Sequence, residues 1–143
     1  MSVNVAMLAP AAVLVAWSLV MLVWMTVVRF AGMAKVQVDV GRARAGGRGQ
    51  DLEPLLPPQT VWKAHNFTHL MESPTMFYAV VVILALTGAG PMQVAIAWAY
   101  VALRVVHSLW QALVNTIPVR IALFALSSLC LIALSISALL ATL

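Results

Sequence analysis

Charge is scarce in this chain. Asp, Glu, Lys and Arg make up only 8% of its 143 residues, against 64% hydrophobic. Soluble domains carry about 25% charged and about 45–50% apolar residues. A water-soluble globule is therefore excluded, and the mean hydropathy of +1.02 describes an integral membrane protein. Acids are the scarcest class, four against eight Lys and Arg. In a soluble protein that balance would point to nucleic acid. Here there is too little polar surface for such a partner, and orientation in a membrane accounts for the basic excess. One cysteine, Cys130, excludes an internal disulfide. Three histidines fall short of the histidine boxes of membrane desaturases, which argues against a metal centre. The N-terminus has no basic region ahead of a long apolar run, so that run is expected to remain as a spanning anchor rather than a cleaved leader.

What is present is four apolar runs of spanning length. A ~30 Å hydrocarbon core needs about 20 residues of helix, which predicts helices over residues 5–29, 62–87, 92–113 and 118–142. The expectation is a single-domain, all-α membrane protein built as a four-helix bundle. Pro10 fits the first turn of helix one, Arg29 closes it, and Trp17 and Trp24 read as packing residues. Residues 30–61 hold Lys35, Arg42, Arg44, Arg48, Asp51 and Glu53 among glycines and prolines, a solvated loop whose arginines meet lipid headgroups. Gly88 to Pro91 forms a tight turn, and Asn115 or Thr116 caps helix four. Four spans place the 30–61 loop and the 114–117 turn on one side, and all eight Lys and Arg belong to that side or to the helix halves nearest it. The positive-inside rule makes that side cytoplasmic and puts both termini on the other.

Polar residues inside the spans carry the functional signal. Arg104, His107, Ser108 and Gln111 fall at i, i+3, i+4 and i+7, on one helix face. His65, His69 and Glu72, at i, i+4 and i+7, form a stripe on helix two, with Glu72 about 15 Å along from Trp62. A carboxylate at that depth is expected to have a cationic partner, and Arg104 is available for a buried ion pair. Pro74 cannot donate to the carbonyl of Leu70, which predicts a kink or a local acceptor. Arg120 stands in a first helical turn, where the dipole already favours anions. Its guanidinium adds to that potential and suits a carboxylate, phosphate or thiolate; a thiol there would lose its proton more readily. A snorkelling interfacial arginine is the plainer alternative.

Arg104-x-x-His107-Ser108 followed by Pro118-x-Arg120, together with Asn66, Glu72 and Pro74 on helix two, resembles the MAPEG family, membrane-associated proteins in eicosanoid and glutathione metabolism. The resemblance covers the whole chain. It implies a left-handed four-helix bundle assembled as a homotrimer, with glutathione as co-substrate bound between neighbouring subunits near the cytoplasmic face. By that resemblance Arg120 stabilises the glutathione thiolate. Arg29, Asn66 or His69, Glu72, Arg104, His107, Ser108 and Gln111 would hold the tripeptide. Glutathione transfer to lipophilic electrophiles, or reduction of lipid hydroperoxides, is the implied activity, in a bacterial inner membrane or the endoplasmic reticulum. Some members bind lipid without catalysis, and a small transporter using Glu72 and the histidines is a third possibility. Gln111 stands where many members carry tyrosine, and Lys63 where an arginine is expected, a change that removes a bidentate fork.

Overall fold

The computed structural model describes residues 3–39, 41 and 45–143. Arg42 and Arg44, expected to meet headgroups, lie outside the described residues. Four helical spans cross: α1 (Val5–Lys35), α2 with α3 (Pro58–Leu70 and Ser73–Thr87), α4 (Pro91–Leu113) and α5 (Ile117–Thr142). Among the described residues there is no strand. This is a multi-pass membrane protein, an all-helical bundle.

Each span has its local cause. Helix α1 begins at Val5, so Pro10 falls in its second turn rather than its first, and the helix runs past Arg29 to Lys35. Gly32 inside this stretch does not stop the helix, which ends only just before Gln37 takes a positive φ. Gly88, at φ 100°, terminates α3 in the left-handed conformation that glycine adopts without Cβ strain. Pro91 then opens α4, its missing N–H costing nothing at the first position.

Span two is not one helix. Thr68 and His69 carbonyls accept the N–H groups of Met71 and Glu72 in a tight turn, and α3 restarts at Ser73. The cause is Pro74, which has no N–H for Leu70 and whose ring crowds that carbonyl. The kink expected there is a full break.

Helix α1 packs on α2, α3 and α4, while α5 packs on α3 and α4. Met7, Leu14 and Met21 repeat every seven residues along α1 and are wholly buried. They meet Phe77, Val81 and Leu84 of α3 and Tyr100 and Val101 of α4 in one apolar core. The Phe77 and Tyr100 rings stack at 4.3 Å. At the start of the chain, Asn4 donates to the Ala89 carbonyl at 2.7 Å and pins α1 to the turn after α3.

The first loop is more ordered than its composition suggests. A 3₁₀ segment, Gly49–Leu55, folds back over α1 and α2. Arg29 donates to the Gly49 carbonyl, and the Glu53 carboxylate lies 3.0 Å from His65 Nε2. Leu56 is buried beside Gly32. A Cβ on Gly32 would stand 3.1 Å from Thr60 Cγ2, so glycine there permits α1 and α2 to close. Gly32→Val should lower stability by about 1–3 kcal/mol through overpacking, read as a fall in the thermal unfolding midpoint in detergent. An unchanged midpoint would show that this contact is not close.

Candidate functional site

The break in span two sets the geometry. It leaves the His69 carbonyl at the C-terminal end of α2, the negative end of the helix dipole. Arg104, on α4, is fully buried and donates Nη2 to that carbonyl at 2.9 Å. Its Nε and Nη1 have no partner among the described residues. The expected ion pair with Glu72 is absent. The break carries Glu72 outward, where its side chain is 62% exposed and its carboxylate lies 2.8 Å from His69 Nδ1. A fully buried cation thus sits in the bundle with a carbonyl, not a carboxylate, as its partner.

His69 is the hub of this region. Its ring centroid is 4.9 Å from that of His107 and 5.4 Å from that of Phe124. Arg120, on the first turns of α5, donates Nη1 to Asn115 Oδ1 at 2.8 Å and keeps a buried, unpartnered Nε. Asn115 reaches it from a left-handed position, φ 61°, which asparagine tolerates better than most residues. Neither expected cap is made. The Thr116 hydroxyl accepts Trp110 Nε1 at 2.9 Å and Asn115 is taken by Arg120, so no side chain caps the first N–H groups of α5. Positive potential from the helix end and from Arg120 coincide.

These groups open on a cleft of about 390 Å³. One wall is the helix-two stripe of His65, Thr68, His69 and Glu72; Gln111 and Arg120 form the other, and Gln50 and Glu53 of the 3₁₀ segment roof it. Gln111 Oε1 is buried and unpartnered. A second hollow of about 370 Å³ adjoins through His69 and Arg120 and adds His107, Ile121 and Phe124. A third, of about 230 Å³, contains Arg29 and shares Gln50, Glu53 and Thr68 with the main cleft. The chemistry available is a cationic inner wall with an acidic rim, matched to a ligand carrying an anionic group and an ammonium group.

Of the residues singled out by the sequence, Arg120, His69, Glu72 and Gln111 line the main cleft, His107 the adjoining hollow, and Arg29 the smaller one. Asn66 and Ser108 line none of these hollows. Trp17 Nε1 and Asn66 Nδ2 both donate to Ser108 Oγ, at 3.1 and 2.8 Å, tying α1, α2 and α4 together. Arg104 likewise acts from behind the wall. Sequence reading missed Thr68, Gln50, Glu53, Asn115 and Phe124. Phe124 had a signal, four residues after Arg120 on the same helix face. The loop residues had none, because their position depends on the fold-back of the 3₁₀ segment.

The family model described as the MAPEG family matches residues 7–140. Comparison with the curated proteins and with the solved structures gave no match.

Two substitutions separate the structural from the exposed polar groups. Ser108→Ala should cost about 1–3 kcal/mol, because buried Asn66 Nδ2 loses its acceptor. Glu72→Gln should stay within about 0.5 kcal/mol, as expected for a surface group without a buried partner. Equilibrium unfolding in detergent reads both. A loss of several kcal/mol in Glu72→Gln would reinstate a buried ion pair.

Proposed function

The chain belongs to the MAPEG family, and from that premise we propose that it is a membrane-bound glutathione-dependent transferase or peroxidase acting on lipophilic electrophiles or lipid hydroperoxides. The observation that carries this reading is Arg120. Arg120 lines the main cleft at a helix start that no side chain caps, its buried Nε lacks a partner, and among the described residues no carboxylate lies within salt-bridge distance of its guanidinium.

The residues fit the tripeptide. The main cleft, at about 390 Å³, is within the usual range for small-molecule sites. Arg120 and the α5 N–H groups favour the charged form of a thiol held beside them. Glu72 and Glu53 on the rim suit an ammonium group, and Arg29 extends the site toward a carboxylate. Bound glutathione supplies the sulfur nucleophile that forms the new bond to the electrophile while the leaving bond breaks. Arg104 holds the His69 carbonyl and so steadies the residue whose ring packs 5.4 Å from that of Phe124. The homotrimer implied by the family resemblance, and a cytoplasmic position for the Arg29–Glu53 side, belong to the same proposal. Basic residues on that side support the orientation.

A second reading, lipid binding without catalysis, draws on one observation. An apolar groove of about 400 Å³ runs along α5 beside the site.

Glutathione added to the purified protein should generate the ultraviolet thiolate band. Arg120→Ala should abolish it and lower kcat/KM for conjugation by about 10²–10³-fold, the usual effect of removing one positioned charge donor. If wild type and Arg120→Ala both lack the band, the transferase reading falls and the lipid-binding one replaces it.

A further inference from the structure

The 3₁₀ segment Gly49–Leu55 occupies polar groups that the site itself needs. Arg29 donates Nη2 to the Gly49 carbonyl, and the Glu53 carboxylate lies 3.0 Å from His65 Nε2. Arg29 is the cation of the smaller hollow, whereas Glu53 lines both that hollow and the main cleft. Gln50 lines both as well, so side chains of the segment form part of the wall the two hollows share. A ligand in the main cleft that extends a carboxylate toward Arg29 meets Gln50 and Glu53 first. It then finds the guanidinium already bonded to the chain.

These contacts are of a kind that exchanges. No residue of the segment is buried, and the His65 side chain is 53% exposed. Exposed ion pairs contribute little, because water and salt screen them. The Gly49 carbonyl is neutral, whereas a carboxylate offers Arg29 a full charge and two parallel hydrogen bonds. Leu56, buried just past the segment, remains as its fixed end. Gly49 is the residue that permits the contact. A Cβ there would stand 3.1 Å from Arg29 Nη2 and 3.3 Å from Cζ and Nη1, so the guanidinium rests against bare backbone. A side chain at this position forces arginine and segment apart.

We propose that Gly49–Leu55 is an autoinhibitory strap: the Gly49 carbonyl occupies Arg29 in place of a ligand carboxylate, and an anionic ligand lifts the strap to complete its binding. The inference rests on the reading of Arg29 as the carboxylate-binding group of the glutathione site and adds the regulation of that site. Only the lifted form offers a free guanidinium, so the apparent affinity falls by the fraction of molecules that are strapped.

The test follows amide hydrogen exchange in the strap of the full-length protein in nanodiscs. Its reporters are the Arg48 N–H, which donates to Asp51 Oδ2 at 2.7 Å, and the Asp51 and Leu56 N–H groups, which donate to the Arg48 and Glu53 carbonyls at 3.0 and 3.2 Å. Glutathione should speed exchange at these amides in wild type. Glutarate, a dicarboxylate with no thiol, should do the same at higher concentration. In Arg29→Ala exchange should be fast without ligand and unchanged by either probe. Gly49→Val should also exchange fast without ligand, and should bind both probes about tenfold more tightly if the strap is down in about nine molecules of ten. Gly49→Ala, with a single added methyl, should fall between Gly49→Val and wild type. The proposal is overturned if either probe slows exchange in the strap, which would make it a cover that closes over the ligand. It is overturned equally if neither probe changes the exchange, or if Gly49→Val binds the probes no more tightly than wild type. A thiolate band that forms with no change in strap exchange overturns it and leaves the transferase reading standing. Release of the strap by glutarate, with no glutathione binding in wild type or variants, defeats the transferase reading and leaves the strap.

Discussion

A buried guanidinium resting on a helix-end carbonyl governs this structure. Arg104 is fully enclosed in the bundle, and the group it holds is the carbonyl of His69. Burying a cation costs several kcal/mol unless something answers its charge. The negative end of α2 provides part of that answer, and it exists only because Pro74 breaks the span. Break and arginine therefore explain each other. In an unbroken helix the His69 carbonyl would serve the regular ladder; here it accepts the Glu72 N–H of the turn at 3.4 Å and the Arg104 guanidinium together.

From this contact the polarity of the site follows. The break turns Glu72 to the rim, where it meets His69 rather than Arg104. Cations consequently stand inside and acids outside. Arg120 adds a second positive group at a helix start that no side chain caps. Asn115, in its left-handed position, takes one guanidinium nitrogen and leaves another unpaired. Such an arrangement favours a negative guest at the inner wall and tolerates a positive group at the mouth. The apolar groove along α5 shares Phe124 with the hollow that Arg120 lines.

The polar face of α4 divides into two jobs. Arg104, His107, Ser108 and Gln111 do share one buried face, as their spacing requires. Yet Ser108 is committed to Trp17 and Asn66, a three-helix junction, and Arg104 to the break. Gln111 and His107 remain to line the hollows. Residues that spacing groups together are thus separated by the partners other helices bring. The stripe of span two behaves differently, since His65 and His69 of α2 and Glu72 of the break all line the main cleft.

The sequence by itself determined that this is a four-span helical membrane protein of the MAPEG family, because apolar length, turn residues and the Arg–His–Ser…Pro–Arg spacing are local properties of the chain. It also placed Arg104, His107, Ser108 and Gln111 on one face of α4, since periodicity is set by 3.6 residues per turn. Only the tertiary structure decided which charges meet. Whether Arg104 neutralises Glu72 or grips a carbonyl depends on how far Pro74 opens span two. Whether Glu53 is a loop acid or part of a roof depends on Gly49–Leu55 folding back over α1 and α2. Both outcomes turn on contacts between distant segments, and no spacing along the chain encodes them.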